Sequence, residues 1–374
     1  MSGIYIHIPF CRQACNYCNF HFATSLLKKE AMLAALNKEI LMVAAENNWR
    51  VNTIYLGGGT PSLLEAEEVW TMLNTIRSVH QVDGGAEITL EANPDDLTED
   101  KLRGWREAGI NRLSIGVQSF FEEDLHWMNR AHNAVQAKEG LKLALQYFDN
   151  ITMDLIYGTP GLTHEKWQRN VETALALQIP HLSCYALTVE PRTPLDKLIR
   201  MHQKDDINPD IQSEQFLLLM GWLRAAGYEH YEISNFAKPG FRSRHNSSYW
   251  QGKPYVGIGP SAHSFNGAER RWNVANNQRY IDAIDKDTLP VEKELLTPVQ
   301  QMNEAIMISL RTIEGVDLNR FSEEGAQQVL KAARRYIDRG LVINEPGRLR
   351  LTDEGKLYAD GIAADLFFDV QATV

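Results

Sequence analysis

Hydrophobic and polar positions along the first half of the chain fall into two alternating patterns. Short β-branched and aromatic runs recur as IYIHI from Ile4, TIYLGG from Thr53, EITLEAN from Glu87, RLSIGVQ from Arg112, ITMDLIYG from Ile151 and HLSCYALT from His181. Each predicts a strand. Between them, KKEAMLAALNKEILMVAAE, EAEEVWTMLNTIRSVH, TEDKLRGWREAG, AVQAKEGLKLALQ and HEKWQRNVETALALQ carry helical periodicity. Regular alternation of strand and helix predicts parallel strands joined by right-handed crossovers, and six such units close most of a barrel. The expected fold is therefore α/β, a partial (β/α)6 barrel over residues 1–235. In such barrels the chemistry gathers at the C-terminal ends of the strands.

The pattern changes after Pro239. KPGFRSRHNSSYWQGKPYVGIGPSAHSFNG is rich in Gly, Ser and Asn, which predicts a loop-rich connection over residues 236–296 laid across the barrel. From Thr297 to residue 374 a second unit is expected: two helices, TPVQQMNEAIMISLRT and SEEGAQQVLKAARRYIDRG, the latter stopped by Gly340, then a hairpin through Pro346-Gly347 and a last helix. That order is winged-helix-like. Two units suit a chain of 374 residues, since a single core stops growing at roughly 250–300 residues.

Charge and composition narrow the function. A formal net charge of −10 disfavours a large nucleic-acid footprint, and Lys331, Arg334, Arg335 and Arg339 read as a solvated helix face. No nucleic-acid partner is expected. No stretch approaches the ~18 apolar residues of a membrane span, and the opening MSGIYIHIPFC lacks the features of a secretory signal. A cytoplasmic protein without a transmembrane segment is the expectation. Of four cysteines, three form C-x3-C-x2-C at Cys11, Cys15 and Cys18, directly after the first strand. In a reducing compartment such spacing points to metal ligation before disulfides. Zinc would need a fourth ligand, and His7 and His21 stand at non-standard spacings. Three thiolates suit a 4Fe-4S cluster with one iron open to an exchangeable molecule. Cys184, inside an apolar strand, reads as a small hydrophobe.

The cysteine loop after the first strand, GGGTP after the second and six βα units together resemble the radical S-adenosylmethionine superfamily. YIHIPFC, GGGTPSLL, RLSIGVQSF, MDLIYGTP, HNSSYW and GIGPSAHSF extend the resemblance over nearly the whole chain, to the branch that holds oxygen-independent coproporphyrinogen III dehydrogenases and related haem chaperones. The resemblance implies three cofactors or ligands: a 4Fe-4S cluster on Cys11, Cys15 and Cys18, S-adenosylmethionine and haem. It implies that the run Gly57, Gly58 and Gly59 before Thr60 holds the methionyl part, whereas alone it would read as a tight turn. Tyr5, Gly58, Glu91, Gln118, Arg130, Asp154 and Ala186 are implied to line one or two S-adenosylmethionine sites; Arg130 and Glu91 also suit an ion pair at the barrel rim. Tyr17 is implied to pack on the adenine, and as an isolated tyrosine would be core. His245 of HNSSYW is the leading haem ligand and His263 of GIGPSAHSF the second, although in this branch the latter segment borders the cofactor site instead; both also suit plain hydrogen-bonded residues.

Within the branch, the dehydrogenase has a fourth cysteine in C-x3-C-x2-C-x-C where this chain has Phe20, and an N-terminal extension where here the first strand follows Met1 closely. HNSSYW matches the HNxxYW signature of the haem chaperones. The expectation is a chaperone that transfers haem to acceptor haem proteins, respiratory ones at the membrane forming one class, with a homodimer as one assembly and no residue assigned to catalysis. The enzyme alternative is oxidative decarboxylation of coproporphyrinogen III; the binding-module alternative is a winged-helix regulator that senses redox through its cluster.

Overall fold

The computed structural model describes residues 2–44 and 50–369. The last residues of the first expected helix, 45–46, and the last five of the C-terminal unit lie outside them.

Six strands, β1 (Ser2–Ile8), β2 (Val51–Gly58), β3 (Val82–Ala92), β4 (Arg112–Gln118), β5 (Ile151–Tyr157) and β6 (His181–Ala186), pair in parallel in chain order. Helices α1 (Lys29–Ala44), α2 (Ala66–Val79), α3 (Glu99–Ala108), α4 (Glu122–Met128), α5 (Ala134–Ala144) and α6 (His164–Ala176) fill the crossovers. Their ends follow from local chemistry. Thr98 caps α3 by accepting the N–H of Lys101, Asn133 and Gln136 form a reciprocal box at α5, and Gly109 ends α3 at φ +109°.

Alternation along the strands separates two faces. Ile4, Ile6, Ile8, Leu56, Leu90, Leu113, Ile115 and Met153 are fully buried in the main core, with the helices. The opposite face is polar: the register sets Tyr5 beside Tyr55, Tyr55 beside Thr89 and Thr89 beside Arg112, with Glu91 next to Ser114, Gly116 next to Asp154 and Asp154 next to Ser183. A barrel whose lumen were only a packed core would carry branched apolar residues there. Here the inner face is built for polar contacts.

After β6 come α7 (Pro194–Arg200) and α8 (Pro209–Ala225), then β7 (Glu229–Glu232) and β8 (Asn235–Ala237), with β8 antiparallel to β6. The segment expected as loops is ordered instead. It contains α9 (Arg244–Trp250), β9 (Tyr255–Ile258), β10 (His263–Phe265), β11 (Glu269–Asn273), α10 (Asn277–Asp285) and β12 (Val291–Leu295), and β9 pairs in parallel with β1 to extend the sheet. Two local features explain the difference. Ser243 caps α9 by accepting the N–H of Asn246, and a Cβ on Gly257 would lie 2.0 Å from the His263 carbonyl oxygen. The glycines that suggest a loop are there for close strand packing.

The C-terminal unit holds α11 (Pro298–Leu310), β13 (Val316–Asp317), α12 (Glu323–Asp338), β14 (Val342–Glu345), β15 (Arg348–Leu351), α13 (Asp353–Lys356) and α14 (Ala359–Asp365). Its three strands pair in the order β13-β15-β14, with Gly347 at φ +74° in the turn, giving the winged-helix-like arrangement. A separate hydrophobic cluster of Val299, Ile306, Leu310, Val329, Leu349 and Ile362 holds it together. Arg242 bridges Glu229 of β7 (2.6 Å) and Glu314 (2.7 Å), tying this unit to the barrel. Among the described residues no helix is long and apolar enough to cross a membrane.

Candidate functional site

Between β1 and α1 the chain makes a loop at the C-terminal end of the strands. Its neck is closed by backbone bonds: the Ala23 N–H donates to Pro9 O (2.9 Å) and the Cys11 N–H to Ala23 O (3.0 Å). Its far side is sewn to the end of α4, where Asn129 Nδ2 donates to Ala14 O (2.7 Å), Asn16 Nδ2 to Trp127 O (3.1 Å) and the Asn16 N–H to Met128 O (3.2 Å). Arg12 pairs with buried Asp96 at 2.9 Å. The loop that carries the three thiols is thus fixed from both sides.

Cys11, Cys15 and Cys18 are free and half-buried. Burial raises the Cys11 thiol to about 11; Thr60, which bonds it, opposes that rise, and the charges of Cys18 and Cys15 add to it. Burial raises Cys18 as well. The Cys11 thiol therefore senses the other two. All three thiols stand on this one loop, as the three protein ligands of one cluster require. Arg130 Nη1 donates to Cys15 Sγ at 3.3 Å, while its Nη2 donates to Asn93 Oδ1 (2.8 Å) and Gly116 O (2.7 Å). The buried Arg130 Nε has no partner among the described residues. A rigidly held cation with an unused donor beside three thiols suits an anionic cluster and a polar ligand.

The glycine run after β2 lies directly under this loop. The Gly59 N–H donates to Ile8 O (2.9 Å) and the Thr60 N–H to Phe10 O (2.7 Å). A Cβ on Gly59 would fall 2.5 Å from Phe10 O, and Gly58 sits at φ +102° with the His7 ring 2.3 Å from where its Cβ would be. Side chains are excluded here by the approach of β1. Glu91 gathers the next layer: it accepts from the Gly58 N–H (3.0 Å) and from Tyr55 Oη (2.7 Å), and Tyr5 stacks on Tyr55 with ring centroids 6.1 Å apart. Gln118, at φ +70°, stands where β4 slips register against β5, its amide near Gly116 and Arg130. Such strain is tolerated where surrounding contacts over-determine it. Tyr17 packs on the cluster of Leu125, Met128, Ile156, Leu187 and Leu195 and bonds Arg130. Ala186 ends β6 beside Tyr157.

Asp154 carries the most informative charge. Burial, then the Glu91 carboxylate, push it up to about 7, against Ser183, Arg130 and Arg112. Its folded pKa lies above the unfolded carboxylate value of about 3.9. The bound proton therefore contributes stability that is complete below the unfolded value and lost as pH rises through the folded one. Asp154→Asn is expected to gain stability relative to the parent as pH rises from about 4 to about 7, read from thermal melts across that range.

His245 is not part of this group. It lies at the opposite, N-terminal end of the strands, 1% exposed, with Nδ1 bonded to Thr53 Oγ1 (2.8 Å), Nε2 to Tyr249 Oη (2.7 Å), and its ring stacked on Tyr55 (5.0 Å). Glu87 accepts the first N–H groups of α9, from Arg244 (3.0 Å) and His245 (2.9 Å). Burial drives the imidazole down to about 3. With both nitrogens engaged, His245 closes the floor of the barrel, and iron ligation in this conformation would require breaking one of these bonds.

Three residues of the site escape the motif-based reading: Asn93, Tyr55 and Arg112. Asn93 follows Glu91 in the EAN run and orients Arg130. Arg112, 1% exposed, donates to Thr152 Oγ1, Asn150 Oδ1 and Phe241 O across the lumen. Period-two alternation within each strand, followed on its polar side, would have found Tyr55 and Arg112.

Comparison with known proteins agrees with this geometry. The Radical SAM superfamily model matches residues 5–174, and the HemN C-terminal domain model residues 296–358. The chain is 34% identical over 371 residues to the heme chaperone HemW of Bacillus subtilis (strain 168), covering 97% of this chain and 98% of that one. It is 40% identical over 267 residues to the heme chaperone HemW of Escherichia coli (strain K12), covering 70% and 69% respectively. Coproporphyrinogen III oxidase (HemN) from Escherichia coli, a radical SAM enzyme, shares the fold at a TM-score of 0.85 and 24% identity, over 98% of this chain and 90% of that one. The chain belongs to the heme chaperone HemW family of the radical SAM superfamily.

Proposed function

We propose that this protein binds haem and hands it to acceptor haem proteins, using a barrel that also holds a 4Fe-4S cluster and S-adenosylmethionine. Cys11, Cys15 and Cys18 would ligate the cluster. Gly58, Gly59, Thr60, Glu91, Gln118, Arg130, Asp154, Ala186, Tyr5 and Tyr17 would line the S-adenosylmethionine space. When bound, the reduced cluster supplies the electron that can break a carbon–sulfur bond of the sulfonium. The protein's own part is placement: Glu91 and Asp154 would offer carboxyl oxygens to the ligand, Arg130 would steady the anionic cluster, and the polar inner face would satisfy the rest.

The observation that carries the chaperone reading is near full-length collinearity with heme chaperones in a chain with Phe20 in place of a fourth cysteine. The proposed division is barrel 1–235, connecting segment 236–296 and C-terminal unit 297–374. The proposed setting is the cytoplasm, with respiratory haem proteins at the membrane among the acceptors and a homodimer as the assembly. Anaerobically purified and reconstituted protein is expected to give a saturable Soret shift with haem and to lose that haem to an apo-haem protein. An absent Soret shift on the intact chain would remove this reading.

A further inference from the structure

A cleft of ≈ 670 Å³ opens between the edge of the barrel and α11 of the C-terminal unit, a volume typical of sites for drug-sized ligands. Aromatic side chains, Phe20, Tyr249, Trp250, Tyr255 and Phe265, form part of its wall, among polar residues such as Gln301 and Glu304. Phe20 is 67% exposed. Tyr249 meets Tyr255 edge to face at 4.6 Å, so the wall is preformed. Three cations reach the cleft, and they are not equivalent. Arg270 is paired with Glu304 at 2.6 Å; Lys253 and Arg320 have no carboxylate partner among the described residues.

Histidines at the cleft differ in the same way. His7 has both ring nitrogens engaged, to Tyr5 Oη (3.1 Å) and His21 O (2.8 Å), and His21 Nε2 is bonded to Asn277 Oδ1 (2.7 Å). His263 is exposed, stacks on Trp272 with centroids 6.1 Å apart, and has neither ring nitrogen hydrogen-bonded among the described residues.

We propose that this cleft is the haem site, with His263 as iron ligand and Lys253 and Arg320 facing the two propionates. It rests on the haem reading above and places the ligand away from His245. A flat apolar macrocycle with two carboxylates at one edge and an iron seeking a neutral nitrogen matches an aromatic slot with two unpaired cations and one free imidazole. The HNSSYW helix then divides its labour. Tyr249 and Trp250 face the cleft, and His245 positions Tyr249 through the 2.7 Å bond between Nε2 and the phenol. The site lies between two units with separate cores, joined across it by the Arg270–Glu304 pair.

Titration of the full-length protein with ferric haem, followed by absorption and resonance Raman spectra, tests the assignment. His263→Ala is expected to change the iron coordination spectrum, and added imidazole to restore it. The double variant Lys253→Glu/Arg320→Glu is expected to weaken binding about tenfold or more while keeping the parent's coordination spectrum. The control His126→Ala, an exposed residue of α4 outside the cleft lining, is expected to behave as the parent. Parent-like spectra and affinity for the His263 and double variants, with the unmodified protein still binding haem saturably, overturn the cleft assignment alone. Absence of saturable binding by the unmodified protein overturns the haem reading itself.

Discussion

Replacing Cys15 by alanine is expected to abolish the cluster: iron and sulfide retained after anaerobic reconstitution fall to background, and the visible chromophore is lost. Two thiolates cannot hold three corners of a cubane. Cys15 is also the thiol that Arg130 contacts at 3.3 Å, so its loss leaves a guanidinium fixed by Asn93 and Gly116 without the anion it faces. Folding should change little, because the loop is held by backbone bonds at Cys11 and Ala23 and by Asn16 and Asn129 rather than by the thiol. Cys184→Ala is the contrasting case. That thiol is buried on the helix-facing side of β6, and its removal should leave iron content unchanged. Full cluster content in the Cys15 variant would show that the ligand set is misassigned.

His245→Ala is expected to cost about 3–4 kcal/mol of folding stability, from the cavity left by a buried ring plus two hydroxyl groups deprived of partners. The residue is 1% exposed and joins Thr53, Tyr249 and Tyr55 at the floor of the barrel. Urea unfolding of the apo-protein reads this directly. Any loss of haem affinity in this variant would follow from a displaced Tyr249, and the iron coordination spectrum of the haem that still binds should match the parent. Parent-like stability together with a changed coordination spectrum would contradict the floor role and restore His245 as the ligand.

Much of this architecture was legible from residue patterns because apolar positions at period two and period 3.6 report burial directly. All six strands of the barrel and the hairpin through Pro346-Gly347 follow from such positions. The cysteine loop was equally plain, since three thiols within eight residues have few structural uses. What stayed hidden depends on close approach and long-range pairing. Gly257 and Gly259 look like loop residues in isolation, yet a Cβ on Gly257 would collide with the His263 backbone and one on Gly259 would reach His7 O at 2.7 Å. A one-dimensional pattern does not reveal that β9 runs beside β1 across more than 240 intervening residues.

HNSSYW shows the same limit at one motif. His245 and Tyr249 are four residues apart, and the helix brings them within a hydrogen bond of each other. The helix then turns the imidazole inward to Thr53 and Glu87's strand, and the Tyr249 and Trp250 rings toward the cleft. Residue identity alone suggests the histidine as the ligand; the helix shows that both of its nitrogens are already engaged, by Thr53 and Tyr249. Arg112 likewise reads as the start of a strand, and only the register, which sets it beside Thr89 on the inner face, explains why a fully buried guanidinium is tolerated.

The central claim is a cubane held by three cysteine thiolates, with its remaining iron open to S-adenosylmethionine. Mössbauer spectroscopy of isotope-enriched, anaerobically reconstituted protein, recorded before and after S-adenosylmethionine is added, tests it most directly. A 4Fe-4S spectrum is expected in which one iron changes its signal on addition while the three thiolate-bound irons do not. A spectrum with no cubane component, or a cubane whose irons all ignore S-adenosylmethionine, would contradict it.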